Sequence, residues 1–498
     1  MSAHRAHRIE IELQVGDAEC GRRLSARASV LGRQRLAAVL DRVFSEHSSA
    51  LSDGGRIDRI ERLELDLGRL TEDAFDDTFL ARLESTLRDA LAAQLRGAHT
   101  AMPAAQSARE LLECFALTGN LPWWAGRHAP DLLAGQLRHL LSAGPAPALA
   151  LLRALADDGA ALARLARACD DANLALWVAD APATAALLAL EAVLQAALAQ
   201  PRAADAQALL RPRVLARLAR GQRVDGEPAL QELLAALPQA ARLALRAWSE
   251  RQPASPGSAA ASLPREVWGV IEGLRTVPGP PSGARPSAAE GARADVEGVD
   301  AEGARADPAL AAATAEPARR VAALRRRALA GLEELNVDDA GLVMLWPFLE
   351  AFFTRLGLVG DGRCFTDAAA AQRAMTLLAW LAFEDPEPPE YRLPLAKLLC
   401  GLPVEAHFEP PGPPDPGQIE ECAHLLDAVV AHAPVLREMP GPALRSTFVQ
   451  RPGVLGTRAG RWLLNVERQP QDELLDRFSW SWAWVKLPWM AQALQVEW

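Results

Sequence analysis

Alanine and leucine carry much of the apolar content of this 498-residue chain, in stretches punctuated by glycine, proline and aspartate. That pattern constrains the fold more than any other feature. Both residues lose little conformational freedom in a helix, and the aromatic residues that favour strands make up only 5% of the chain. Half of the residues are hydrophobic, enough for a sizeable core, and the length suits two to four domains. The expected fold is mainly α.

Residues 1–100 depart from this pattern. Ile9, Ile11, Leu13 and Val15 alternate with Arg8, Glu10, Glu12 and Gln14, the period of a half-buried strand. Val30, Leu31, Leu36, Val39, Leu40, Val43 and Phe44 then follow at helical spacing, and Ser52–Gly55 is a turn signal. Leu63, Leu65 and Leu67 alternate with Glu64 and Asp66 as a second strand. Thr71 is placed to cap a helix reaching about Arg96, with Glu72 and Asp73 at its positive end. The expectation is a β-α-β-α module. Two strands do not make a sheet that stands alone, so the open edge calls for pairing with another chain or another part of this one.

Residues 101–250 read as successive Ala/Leu helices of 10 to 20 residues, stacked as an irregular solenoid. Ser107 with Glu110 forms a capping-box pattern, Gly119–Pro122 ends a helix, and Gly144-Pro145, Asp157–Gly159, Pro182 and Pro201 mark further breaks. Residues 251–318 are rich in proline, glycine, serine and small residues and read as a flexible linker, with a helical turn around Val267-Trp268-Val270. From 319 to 498 a mostly helical domain is expected. One apolar face runs from Leu342 to Leu356 with Pro347 in its first turn, and further helices fall at 367–384, 394–400 (stopped by Gly401) and 417–432. The domain ends in short strands over Arg461–Glu467, Ser479–Val485 and Gln495–Trp498, with Trp480, Trp482 and Trp484 on one strand face.

Composition narrows the function. A formal charge of −10 is not suited to holding a nucleic-acid backbone. Basic residues are nearly all arginine; the lysines are Lys397 and Lys486, a bias read as high-GC coding. Six cysteines without a C-x-x-C pair read as reduced thiols of a cytoplasmic protein, and Met1–Val15 lacks a secretory apolar core. Ala181–Pro201 holds a single charge, Glu191, but its leucines recur at helical spacing, so a soluble helix is a better reading than a membrane span.

No residue set points to catalysis. Neither lysine follows a glycine, which excludes a P-loop, and there is no H-E-x-x-H or G-x-S-x-G. Cys422, His424 and His432 resemble a metal cluster on paper. Residues two apart do not share a helix face, and a fourth ligand is missing; the simpler reading is a buried thiol beside surface histidines. Arg319, Arg320, Arg325, Arg326 and Arg327 read as a solvated face rather than a lipid or nucleic-acid patch. No cofactor or metal is expected. Five of thirteen tryptophans lie in the last nineteen residues. Trp480, Trp482, Trp484, Trp489 and Trp498, with Trp123 and Trp124, are candidates for partner docking, against core packing as the plainer alternative.

Several blocks together resemble one family. They are Arg56–Gly68, Leu117–Trp124, Ala340–Leu349, Lys397–Pro403, Ala443–Gly453, Leu475–Trp480, Lys486–Met490 and Val496–Trp498. In this order they are similar to the contractile injection system tape measure proteins, over roughly residues 8–125 and 335–498. Trp482 and Trp484 depart from the family, whose members tend to carry aliphatic residues there. The resemblance implies a structural protein of an extracellular phage-tail-like particle, built in the producing cell's cytoplasm, that sets tube length or seeds tube or baseplate assembly. Its partners would be tube, baseplate or spike subunits, with no nucleic acid and no stable membrane insertion, and no catalytic residue carries over. An assembly chaperone or adaptor absent from the finished particle is the alternative. A fully helical chain would span about 750 Å, but 36 prolines forbid one rod. Two docking ends joined by a spacer over residues 130–320 therefore compete with a compact assembly factor.

Overall fold

The computed structural model describes residues 6, 9–50, 57–58, 60, 62–96, 101–102, 104–125, 131–198, 206–251, 263–276, 321–326, 328, 334–436 and 439–498. They form two compact units, Met1–Leu111 with Trp123–Ala143, and Leu112–Pro122 with Gly144–Trp498. The architecture is mainly helical with a small C-terminal sheet, as the composition predicts.

In the first unit, α1 (Ala18–Leu31) and α2 (Ala37–Ala50) are joined by a π-helical turn at Gly32–Leu36. Asp17 caps α1 by accepting from the Glu19 and Cys20 amides at 2.9 and 2.8 Å. The π turn has its cause in the spacing of the buried residues. Leu24, Ala28 and Leu31 are followed by Leu36, five positions on, before Val39 and Val43 resume the helical interval. In a straight α-helix five residues turn the face by about 140°, and one wider turn restores it. Val30, expected on this face, points to solvent. Helix α3 (Phe75–Arg96) packs on both α1 and α2, supplying Phe75, Phe79, Leu80 and Leu83 to the core. It starts after a turn at 72–74, so Thr71 is not its cap. Glu72 instead pairs with Arg23 at 2.9 Å.

The strand expectations hold in period but not in pairing. Leu63, Leu65 and Leu67 are half-buried between exposed Arg62, Glu64 and Asp66. Leu13, Leu65 and Leu67 pack on the same core. Yet among the described residues neither 9–15 nor 62–70 joins a ladder. The strands present are two-residue segments, β1 (Ile57–Asp58) and β2 (Ala101–Met102), paired antiparallel. Ser52–Gly55 lies outside the described residues.

Helix α4 (Ala104–Thr118) begins in the first unit and ends in the second. Ser107 is buried in its first turn rather than capping it. Gly119, at φ +73°, terminates it as expected. The first unit closes with α5 (Leu132–Ser142).

The second unit continues with α6 (Pro145–Leu155), α7 (Gly159–Arg167), α8 (Asp171–Val178), α9 (Ala181–Ala197), α10 (Ala206–Ala219), α11 (Glu227–Ala235), α12 (Gln239–Arg251) and α13 (Arg265–Thr276). Aspartates set the starts: Asp158, Asp170 and Asp180 each accept a backbone N–H of the first turn. Packing reaches beyond nearest neighbours. Helix α10 touches α6 and α7, and α13 touches α9, α11 and α12. The helices thus fold back on one another rather than stacking in one dimension. Helix α13 falls inside the stretch expected as linker, with Val267, Val270 and Ile271 buried. Residues 252–262 and 277–318 of that stretch lie outside the described residues. No helix is long and apolar enough to cross a membrane among the described residues. Glu191, the charge in the apolar α9, is buried against Arg211 at 2.8 Å.

The C-terminal part opens with β3 (Glu334–Val337), a 3-10 segment at Ala340–Leu345 and α14 (Trp346–Arg355), which has Pro347 in its first turn. Helices α15 (Ala368–Phe383), α16 (Pro394–Leu399) and α17 (Pro416–His432) follow within a residue or so of expectation. After α18 (Gly441–Leu444) come β4 (Gly453–Arg458), β5 (Arg461–Val466), β6 (Trp484–Val485) and β7 (Leu494–Glu497). The sheet order is β3-β4-β5-β7-β6, antiparallel except for β5 and β7. Ala459 and Gly460, both at positive φ, make the two-residue β4–β5 hairpin turn. One face, with Leu335, Val337, Leu455, Leu464, Val466, Val485, Leu494 and Val496, closes over a core that includes Leu349, Phe352, Leu378 and Leu425. Sequence reasoning missed β3 and β4, and expected a strand over 479–485 of which only the last two residues form one.

Gly341 shows how closely this core is built. A methyl group there would stand 1.8 Å from the Phe448 carbonyl oxygen, which is backbone and cannot swing away. Gly341→Ala is expected to cost more than about 3 kcal/mol, against less than about 0.5 kcal/mol for Gly362→Ala, where nothing lies within 4 Å. Urea unfolding followed by circular dichroism measures both; equal midpoints would contradict this packing.

Candidate functional site

The C-terminal tryptophans divide by what their indole N–H groups do. Trp480 donates to the Met344 carbonyl at 2.9 Å, Trp489 to the Leu399 carbonyl at 2.8 Å, and Trp498 to Asp472 Oδ2 at 3.0 Å. Rings reinforce these bonds. Phe348 and Phe478 meet Trp480 edge-on at 5.3 and 5.0 Å, and Phe365 lies 5.0 Å from Trp489. These three are half-buried packing residues of the domain. Trp482 rests against Phe478 and Trp498 at 5.4 and 5.7 Å and is only half-buried. Trp484, on the edge strand β6, is 49% exposed. Within the C-terminal set, the open surface therefore centres on Trp484 and Trp482. The three rings at 480, 482 and 484 do not share a strand face, because the chain bends over 479–483 to seat Trp480 on the core. Trp123 and Trp124 are half-buried in the turn after Pro122, in the first unit.

Under the C-terminal edge, Arg451 and Asp472 form a buried two-bond pair at 2.6 and 2.9 Å. Burial works against the Asp472 carboxylate, but Arg451, the Gln469 amide and the Trp498 indole hold it below the ordinary aspartate range. The Arg451 guanidinium also lies 5.4 Å from the Trp498 ring centre. The last residue of the sequence is thus fixed by charge, hydrogen bond and ring contact together.

A second buried charge centre was not anticipated. Glu390 accepts from Arg164 Nε at 3.0 Å and Nη2 at 2.9 Å, from Lys397 Nζ at 2.8 Å and from the Phe408 amide at 3.2 Å. Arg164 also donates to the Ala116 and Glu405 carbonyls at 3.1 and 2.7 Å, and Lys397 to the Val404 carbonyl at 3.0 Å. Asn120 donates to the Val404 carbonyl at 3.2 Å. Gly119 leaves room for the carboxylate: a Cβ there would stand 2.4 Å from Glu390 Oε1. The centre joins the end of α4, α7, the segment before α16 and the loop after it.

Its electrostatics follow from two cations sharing one carboxylate. Burial pulls the Glu390 carboxyl upward, yet Lys397 and Arg164 hold it below the usual range. Burial also lowers the Lys397 ammonium, since Glu390 is shared and Arg164 repels it. His407 is pushed down by burial against the opposing pull of Glu390, with Arg164 and Arg167 adding to the downward shift. The arrangement thus places two cations on one buried carboxylate.

The remaining candidates separate in space. Cys422 is buried and its thiol is pushed up to about 12 by desolvation, whereas His424 is exposed beside Glu421 and the His432 ring meets Phe348 edge-on. No group of three or more metal-ligating side chains occurs among the described residues. Arg325 pairs with Asp158 and Arg326 is exposed, while Arg319, Arg320 and Arg327 lie outside the described residues.

Two of the eight blocks that carry the family resemblance meet at this centre: Leu117–Trp124 supplies Gly119 and Asn120, and Lys397–Pro403 supplies Lys397. A family model described as contractile injection system tape measure protein matches residues 3–498. The chain belongs to this family. The match also runs through the helical middle, which the resemblance read from the sequence had left out. Searches of curated proteins and of solved structures each found no match.

Two tests follow for this tape measure family member. Glu390→Gln leaves Arg164 and Lys397 without a counter-charge and is expected to cost about 3–5 kcal/mol, whereas Lys397→Met keeps the Arg164 pair and should cost less than about 1.5 kcal/mol. The reverse order in denaturant unfolding would make Lys397 the hub instead. In pH titrations, the Glu390 and Asp472 contributions are complete above the ordinary carboxyl values near about 4. They are lost as pH falls through the lower folded values. Thermal stability should therefore drop below about pH 4, and Glu390→Gln should flatten that acid limb.

Proposed function

We propose that this chain acts in a phage-tail-like contractile particle as a folded tape measure protein that seeds tube and baseplate assembly, rather than as an extended thread. The observation supporting this reading is the Arg164–Glu390 pair. It ties α7, in the helical middle, into the C-terminal domain. Stretching the middle as a spacer would strip α7 away, removing Arg164 from its two-bond contact with Glu390 and leaving the carboxylate with Lys397 alone. The role is structural and non-catalytic. Its partners are tube, baseplate or spike subunits met in the producing cell's cytoplasm. Trp484, with its exposed ring, and the half-buried Trp482 beside it are the residues best placed to touch them, since an indole supplies large apolar area at little entropic cost.

The test combines a deletion with a count. Residues 227–276, which hold α11 to α13, are removed, and tube lengths are measured by electron microscopy. A folded seed predicts loss of particles or tubes of unchanged length. A ruler predicts tubes shortened in proportion, about 1.5 Å per helical residue removed. Mass spectrometry of purified sheathed particles then counts this chain against the tube subunit. A few copies per particle fit the seed, and absence from particles that need the chain to form would make it a chaperone.

A further inference from the structure

The N-terminal stretch from Ile9 to Val15 carries apolar side chains that the first unit does not cover. Ile9 is 51% exposed, Ile11 38% and Val15 39%. They alternate with Glu10, Glu12 and Gln14, and Leu13, of the same phase, packs on the core beside Leu65 and Leu67. The stretch thus touches the core through Leu13, with its other positions exposed, and no ladder joins it among the described residues. An alternating segment of this kind gains most by taking up a strand from another chain, which adds main-chain bonds and covers the apolar positions at once.

The charge pattern selects the kind of strand. From Ile9 to Val15 the charged residues are Glu10 and Glu12, two carboxylates at alternate positions of the stretch. An antiparallel pairing of two copies over the whole of 9–15 would set Glu12 opposite Glu12, an unfavourable like-charge pair. A second copy of this chain is thus the poorer fit. We infer that residues 9–15 bind, by strand addition, a segment of a different particle subunit in which apolar residues alternate with lysine or arginine. This rests on the assembly role proposed above and names the first contact through which that role is exercised.

A photo-crosslinking residue placed at Ile11 of the full chain, in particles purified from the producing cell, tests it. The expected product joins this chain to a strand of another subunit carrying basic residues at alternate positions. Crosslinks confined to this chain or to a second copy, or to a segment without that alternation, overturn the inference. Ile11→Pro gives an independent check. Proline forbids one ladder bond, and Ile11→Val is the control. Particle yield should fall at least tenfold for Ile11→Pro, with the thermal transition of the purified chain unchanged, and stay normal for Ile11→Val. Normal yield with Ile11→Pro, in cells where deleting the whole chain abolishes particles, refutes strand addition while leaving the assembly role intact. If deleting the whole chain leaves particles intact, the assembly role itself fails, and the inference with it.

Discussion

Glu390 sits where four stretches of the second unit converge, and the register of those stretches depends on keeping it paired. A carboxylate taken out of water is costly, and two cations brought beside it are costly as well. The cost is offset by the hydrogen bonds made there. Arg164 and Lys397 share the carboxylate, and the Ala116, Val404 and Glu405 carbonyls accept further hydrogens from them, so backbone dipoles face the excess positive charge. This geometry demands a residue without a side chain at 119, an α7 fixed in rotation so that Arg164 faces inward, and a loop after α16 that turns its carbonyls to the site. Apolar packing alone would tolerate small rotations of α7. A two-bond guanidinium contact does not, so the centre selects one register between α7 and the segments around α16 within the second unit.

The same device recurs. Arg211 holds Glu191 and Asp171 between α8, α9 and α10, and Arg451 holds Asp472 beneath the sheet. In a chain whose apolar surface is largely alanine and leucine, side chains offer little shape by which one helix pairing differs from another. Buried arginine–carboxylate pairs supply that distinction where side-chain shape does not.

Much of this was legible in the sequence, and the failures have physical causes. Helix starts were written in local chemistry: Pro347 falls in the first turn of α14 as expected, and the breaks at Gly144-Pro145, Asp157–Gly159 and Pro182 sit at the starts of α6, α7 and α9. The charge centre was not legible, because Arg164 and Glu390 lie 226 positions apart and nothing local pairs them. One signal was present. Lys397 interrupts the apolar run Leu395–Cys400 as Glu191 interrupts α9, and a single charge within an otherwise buried helix asks for a partner. Reading the scarcity of lysine as coding bias passes over this signal. The missed β3 and β4 are short, and their pairing depends on contacts between residues 334–337 and 453–456. The C-terminal tryptophans were visible as a cluster, but which of them pack and which stay open depends on distant acceptors such as Met344 and Leu399.

Both ends of the described chain leave strand structure incomplete, and they do so differently. At the C-terminus, β6 is a two-residue edge strand whose Trp484 is open, but the sheet behind it is complete and its core face is closed. An edge that short offers few main-chain bonds, so contact there depends on the ring and not on the ladder. At the N-terminus the apolar positions of 9–15 are only partly covered and the ladder is missing, so main-chain bonding and apolar cover remain to be gained together. As proposed docking sites, the two surfaces would suit different contacts. The tryptophan edge would suit a contact made through a ring, and the N-terminal stretch a partner segment that gains its structure on binding, with part of the interaction energy used to order it.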